Sequence, residues 1–326
     1  MPQQTDPTSP GISAYPGARY AFPFYESTPS GTGAPTAVAD RRINDWKKAQ
    51  LGPTPAPRNN GAIDLAEIIG PEGVSEIEDL GEIRFHALGD SGVGHADEAE
   101  QVAEEMATDF KPGAGALNPA FLFHLGDVVY GPMKTDHYGE RFYRPYRRYP
   151  GKIIAIPGNH DGEAKNSADL PSLNAFRANF CAPTAEVPLQ ASGSGIYRET
   201  MILPGIYWRL ETPFVRILGL YSNLLEDPGC LEGRTDDGRP DVSQLEWLTA
   251  SLNDIAAKKD GKALIIATHH PPYSSSGHSS SDEMSDIIDA VVRRHFGRVC
   301  FNLGANFSPA TASSEREANQ RWRGHT

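Results

Sequence analysis

The sequence predicts a layered α/β domain. Three observations carry that prediction: short β-rich apolar runs begin at Ile83, they alternate with segments of helical periodicity, and three of them stop on a glycine followed at once by a polar residue. In order the runs are IRFHALGD, AFLFHLGD, KIIAIPGNHD, IYWRLET, FVRILGLYSN and ALIIATHHPP.

Before them, residues 1–80 are rich in Pro, Gly, Ser and Thr, and are expected to be partly disordered or to wrap the domain. Only ADRRINDWKKAQ (39–50) interrupts this texture, with Ile43 and Trp46 on one helix face. The domain is expected over 81–303, followed by a polar, atypical tail over 304–326. Between the first two runs, Ala99, Val102, Ala103, Met106 and Phe110 recur at helical spacing in an acidic segment, which predicts a covering helix. The runs at 206–211 and 214–221 flank a Thr-Pro pair and predict a hairpin, so one sheet should contain antiparallel strands. SQLEWLTASLNDI (243–255) predicts a second covering helix, with Leu245, Leu248 and Leu252 on one side and Ser243 as its cap.

Composition narrows the partners. Lys and Arg total 30 against 42 Asp and Glu, a formal net charge of −12 in 326 residues, which disfavours a broad basic surface tracking nucleic acid. The one basic and aromatic cluster, YGERFYRPYRRYPGK (138–152), carries Arg141, Arg144, Arg147 and Arg148 among tyrosines. It is expected to pack those tyrosines beside the site, with base stacking as the alternative. Cys181, Cys230 and Cys300 lie far apart, without the spacing of a disulfide framework or a zinc knuckle. With no signal-peptide pattern and no apolar stretch of the roughly 18 residues a span needs, a cytoplasmic protein without membrane contact is expected.

Polar residues collect where the runs end. Asp90 follows FHALG, Asp127 follows FLFHLG, Asn159 and His160 follow IIAIPG, and His269 and His270 follow LIIAT. Ligands bind at the carboxyl ends of strands in open α/β sheets, so these four ends are expected to converge. Two carboxylates, a carboxamide oxygen and an imidazole, with no thiolate, suit Mn, Fe, Zn or Mg better than a structural zinc. Two metal ions about 3.5–4 Å apart need a bridging ligand, and Asp127 is the candidate. The glycines before these residues let the backbone turn sharply.

GDSG, GDVVY, GNHD and IATHHPPY resemble, in order, the first four signatures of the calcineurin-like metallophosphoesterases, and specifically their purple acid phosphatase-like branch. The resemblance runs over about residues 83–303 and implies a four-layer αββα sandwich. In the wider superfamily the first signature is Asp-x-His; here Ser91 and Gly92 follow Asp90, and Tyr130 stands where the branch supplies a tyrosine instead. A phenolate is a hard anionic donor that favours trivalent iron. Carried over, the family implies Asp90, Asp127 and Tyr130 on the first metal, with Asp127 also reaching the second, and Asn159 and His269 on the second. His160 would hold phosphate oxygens and protonate the leaving alcohol, and His270 and His278 would line the phosphate entrance. The implied cofactors are two metal ions, Fe with Fe, Zn or Mn. The implied reaction is hydrolysis of a small phosphate monoester by a metal-activated hydroxide, with a phosphodiesterase of the same fold or a catalytically impaired relative as alternatives.

One part departs from that pattern. The fifth signature, Gly-His-x-His, should follow the apolar run GRVCFNL (297–303), but Gly304 is followed by Ala305, Asn306 and Phe307. Either the frame shifts or the gene is truncated near residue 299, leaving the C-terminal part of the sandwich incomplete, or Asn306 or His325 supplies a replacement ligand.

Overall fold

The computed structural model describes residues 51–92, 96–130, 137–163, 173–193, 195–225, 229–272, 281, 284–288 and, for the backbone, 302–304. The helix expected at 39–50, and with it Cys300, Asn306 and His325, lie outside the described residues. In chain order the strands are β1 (Ala62–Asp64), β2 (His86–Leu88), β3 (Phe121–His124), β4 (Lys152–Ala155), β5 (Trp208–Glu211), β6 (Val215–Gly219), the short pair β7 (Gly233–Arg234) and β8 (Pro240–Asp241), β9 (Ala263–Thr268) and β10 (Asn302–Gly304). The helices are α1 (Leu65–Ile69), α2 (Pro71–Leu80), α3 (Ala96–Ala107), α4 (Asn174–Phe180), α5 (Leu189–Ser192) and α6 (Ser243–Lys258).

Two sheets organise these strands. One is parallel, in the order β2-β3-β4; the other is mixed, in the order β1-β5-β6-β9-β10. The expected hairpin is present, with β5 and β6 antiparallel and Leu210 opposite Ile217. Neighbouring residues of a strand face opposite ways. Ile217 and Ala267 accordingly join the cluster that includes the smaller sheet, while Leu218, Leu264 and Ile266 join Leu248, Leu252 and Ile255 of α6. With both faces covered, these strands read as continuous apolar runs. Between the sheets, the buried Trp208 packs on Phe123 with ring centroids 5.3 Å apart, and its indole N–H donates to the Ala155 carbonyl at 3.0 Å. The layers are those of a mixed α/β sandwich.

Several local features differ from expectation. Val102 is 51 % exposed, because the buried stripe of α3, Ala99 and Ala103, is turned toward Glu100 and Glu104, which pair with Arg147 and Arg148. Ser243 is the first helical residue of α6 and not its cap, a position held by Val242; the Ser243 N–H donates to Asp241 Oδ1 at 3.0 Å, so Asp241 takes up one of the open donors. In the described part of the N-terminal extension, β1 adds a parallel edge strand to β5. Asp64 and Glu67 then start α1 with a reciprocal capping box. Tyr138, Tyr143, Tyr146 and Tyr149 are buried core residues, whereas Arg144, Arg147 and Arg148 point outward to acidic partners, so these rings are not available for stacking bases.

Candidate metal centre

The parallel pairing of β2, β3 and β4 brings the loops after their carboxyl ends to one edge, and β9 delivers His269 there from the other sheet. Asp90 and Asp127 both have left-handed backbones, with φ of 59° and 56°. Non-glycine residues in that region are uncommon and cluster where a side chain must be aimed. Gly126 (φ 99°) has no room for a side chain, since a Cβ would lie 2.8 Å from His269 Nδ1. A Cβ on Gly158 would run into the Asp127 carboxylate. Two glycines thus let the loops close around that carboxylate.

The geometry joins most of the expected ligands. One donor atom from each of Asp90, Asp127 and His269 lies within 4.8 Å of the other two. His269 Nδ1 donates to the Leu125 carbonyl at 3.0 Å, which leaves Nε2 facing Asn159 Oδ1 at 3.0 Å and Asp127 Oδ2 at 3.4 Å. A backbone carbonyl holding the far nitrogen is a common way to orient a ligating imidazole. The Tyr130 hydroxyl donates to Asp90 Oδ1 at 3.2 Å. A lone pair on Nε2 facing two oxygen acceptors needs a positive charge between them, either a proton or a metal ion. The donor set of oxygen and one imidazole therefore fits a hard or borderline cation.

Electrostatics agree with that crowding. Burial alone would raise the Asp127 carboxyl, but His269, His160 and the Tyr130 hydroxyl hold it well below the usual carboxylate range. Burial would lower the His269 imidazole, yet Asp127, Asp90 and the Leu125 carbonyl raise it to about 9. Burial and then the two carboxylates push the Tyr130 phenol far above its ordinary value.

The remaining residues take up distinct places. The His160 ring lies against Tyr130, with centroids 4.2 Å apart, and its backbone N–H donates to Asp127 Oδ1 at 3.0 Å. His160 Nδ1 also meets the Glu163 carboxylate at 3.2 Å. His270 is buried, with Nδ1 on the Ser222 hydroxyl at 2.8 Å and Nε2 on the Leu225 carbonyl at 2.9 Å. Its ring ties the loop after β9 to the loop after β6, and a place at the phosphate entrance would require one of those bonds to open. His278 lies outside the described residues.

Some participants are not among the strand-end residues that the sequence singles out. Asp161, fully buried, accepts from Val128 N at 3.1 Å, Val129 N at 3.2 Å and Gly158 N at 2.9 Å, so one carboxylate clamps the loops after β3 and β4 together. Burial first, then repulsion from Asp127, raises it to about 7 against the pull of those three donors. His124, also buried, lies 2.7 Å from the Ser91 hydroxyl, which accepts from Tyr146 at 2.7 Å and so braces the loop carrying Asp90. Asp161 sits inside GNHD and was visible as part of that motif; Glu163 and His124 become partners only through the fold.

A mixed α/β sandwich with acidic and imidazole donors gathered at strand ends sets out a candidate metal centre. The calcineurin-like phosphoesterase family model matches residues 83–296, and the chain belongs to that family. No curated protein matches the sequence. The family acts on small phosphate esters by metal-dependent phosphoester hydrolysis. Among the described residues no helix is long and apolar enough to cross a membrane.

Proposed function

We propose that this protein is a phosphomonoesterase of the purple acid phosphatase-like branch, working with a dinuclear centre of Fe with Fe, Zn or Mn. The observation that carries the reading is the convergence of Asp90, Asp127 and His269 donor atoms within 4.8 Å, with the Tyr130 hydroxyl on Asp90. Asp90, Asp127 and Tyr130 would hold one ion, and Asp127, Asn159 and His269 the other. Bound there, the ions supply Lewis acidity toward phosphoryl oxygen and lower the pKa of water.

This chain's own residues then have separate tasks. His160, with Nδ1 beside the Glu163 carboxylate and its ring against Tyr130, would donate a proton to the departing alkoxide. Tyr130 gives up its proton only against a strong cation, because burial and two carboxylates keep it a phenol otherwise. Asp161 and Ser91 keep the loops from parting. His270 and His278 would contribute at the phosphate entrance.

A second reading has its own observation. Gly304, the last described residue of β10, pairs with Thr268, and in the sequence it is followed by Ala305, Asn306 and Phe307, where the resemblance leads one to expect two further histidines. A protein with fewer ligands would bind metal weakly and turn over slowly, acting as an impaired relative. Metal content and p-nitrophenyl phosphate hydrolysis, measured on one preparation, separate the two. Two ions per chain with turnover support the enzyme; one or none without turnover supports the second reading. A visible phenolate-to-iron absorption lost in Tyr130→Phe supports the branch, and iron-loaded protein lacking it removes the branch. Bis-p-nitrophenyl phosphate as the better substrate would make it a diesterase. The cytoplasmic placement is supported by the wide spacing of Cys181, Cys230 and Cys300 in the sequence, and cell fractionation checks it.

A further inference from the structure

A cavity of about 620 Å³ opens at the other end of β4, at the amino ends of the strands, and is lined by Phe142, Phe180, Ile153, Lys152, Tyr197 and Arg198 among others. Lys152 begins β4 while Asn159 follows its end, so about seven extended residues, on the order of 20 Å, separate the cavity from the metal centre. The volume falls in the usual range for small-molecule sites, about 300–1,000 Å³.

Its charge runs against that of the molecule. In a chain of net charge −12, Arg147, Arg148, Lys152 and Arg198 all line this cavity, with Glu199 the one acidic side chain on it among the described residues. Three of the cations are balanced: Arg147 by Glu100, Arg148 by Glu104 and Lys152 by Glu199 at 3.1 Å. Arg198 is not. Its Nη1 donates to Gly151 O at 2.9 Å and its Nη2 to Tyr146 O at 2.9 Å and to Tyr149 O, while the buried Nε meets no acceptor among the described residues. Carbonyl dipoles orient this guanidinium but bring no negative charge. A guanidinium is weakly hydrated and suits recognition of planar anions. The apolar floor is Phe142, Phe180 and Ile153, all buried, and at the rim Tyr197 stands 80 % exposed, an aromatic ring with little to cover. A cation beside an apolar floor and an exposed ring recurs where a ring-bearing anion is bound.

We propose that this cavity is a second ligand site, for a small molecule carrying a flat apolar ring and one anionic group, with Arg198 on the anion and Phe142, Phe180 and Tyr197 on the ring. It stands apart from the catalytic reading, because none of these residues belongs to the metal centre.

The test is a fluorescence titration of the full-length, folded protein with 8-anilinonaphthalene-1-sulfonate. Saturable binding of one probe per chain is expected, weakened at least tenfold by Arg198→Met and by Lys152→Glu and unchanged in Asp127→Asn. Arg198 also holds three carbonyls, so circular dichroism checks that its variant is folded; should it not be, the rim variants Lys152→Glu and Tyr197→Ala decide. Displacement by benzenesulfonate but not by inorganic phosphate supports the ring-bearing class. No saturable binding, an affinity indifferent to Lys152→Glu and Tyr197→Ala, displacement by inorganic phosphate alone, or loss of binding in Asp127→Asn would each overturn the proposal.

Discussion

His269 shows how much one side chain's position decides. Without metal, a proton on Nε2 is the only positive charge between Asp127 and Asn159, and the imidazole is raised from 6.5 to about 9. A folded-state value above the unfolded one means the contribution to stability is whole below about pH 6.5 and is lost as pH climbs through 9. A cation needs the nitrogen bare, so metal affinity moves the opposite way. It should rise about tenfold per pH unit over that interval for one displaced proton. Chelator competition with Mn or Zn from pH 6.5 to 9 measures this; a flat profile would mean His269 is not a ligand. Asp161 acts one step further out. Asp161→Asn keeps the shape but replaces one acceptor oxygen with a donor among three N–H groups, so metal affinity should fall by roughly 10–100-fold. The same titration at fixed pH reports it, and undiminished affinity in a folded variant would show the clamp to be idle.

At the level of elements, the helices carry unequal weight, and that inequality is where sequence reading succeeded and failed. The period-3.6 pattern of α6 was legible because Leu248 and Leu252 must cover the outer face of β6 and β9. Leu252→Ala, fully buried, should cost about 2–5 kcal/mol in urea unfolding. Val102→Ala on α3 should stay within about 0.5 kcal/mol, because half of that side chain is already in water. Equal losses at both positions would refute the assignment of faces. Periodicity could not show which edge of the α3 stripe is covered, since this depends on Glu100 and Glu104 finding Arg147 and Arg148 some 44–47 residues away. The start of α6 shows a similar limit: Ser243 is a good cap by type, but Val242 precedes the first turn and Asp241 reaches the Ser243 N–H from one place further back. The strand ends Asp90, Asp127, Asn159 and His269 were readable because each directly follows an apolar run, whereas β1, three residues long, is held by β5 and not by its own composition.

Over the whole molecule, the candidate metal centre is divided between the two sheets. Asp90, Asp127 and Asn159 come from the loops after β2, β3 and β4, and His269 from β9, so the distance between His269 and its partners is fixed by how the sheets pack. Trp208 lies in that interface, buried, against Phe123, with its indole on the Ala155 carbonyl just upstream of Asn159. Removing the ring leaves a cavity and an unpaired buried carbonyl, and Trp208→Ala should cost about 3–5 kcal/mol. Trp208→Phe refills most of the volume but not the hydrogen bond, at about 1–3 kcal/mol. Stability alone would not distinguish an interface residue from any other core tryptophan. Coupling to the site does: metal bound across both sheets stabilises the fold by about 2.7 kcal/mol at one hundred times Kd. In Trp208→Ala that metal-induced increment in unfolding free energy should shrink along with affinity, though the residue touches no ligand, while Leu252→Ala, equally buried but on the outer face, should keep it. Urea unfolding of both variants with and without Mn measures the difference. An undiminished increment in folded Trp208→Ala would show that the two sheets hold His269 in register without it.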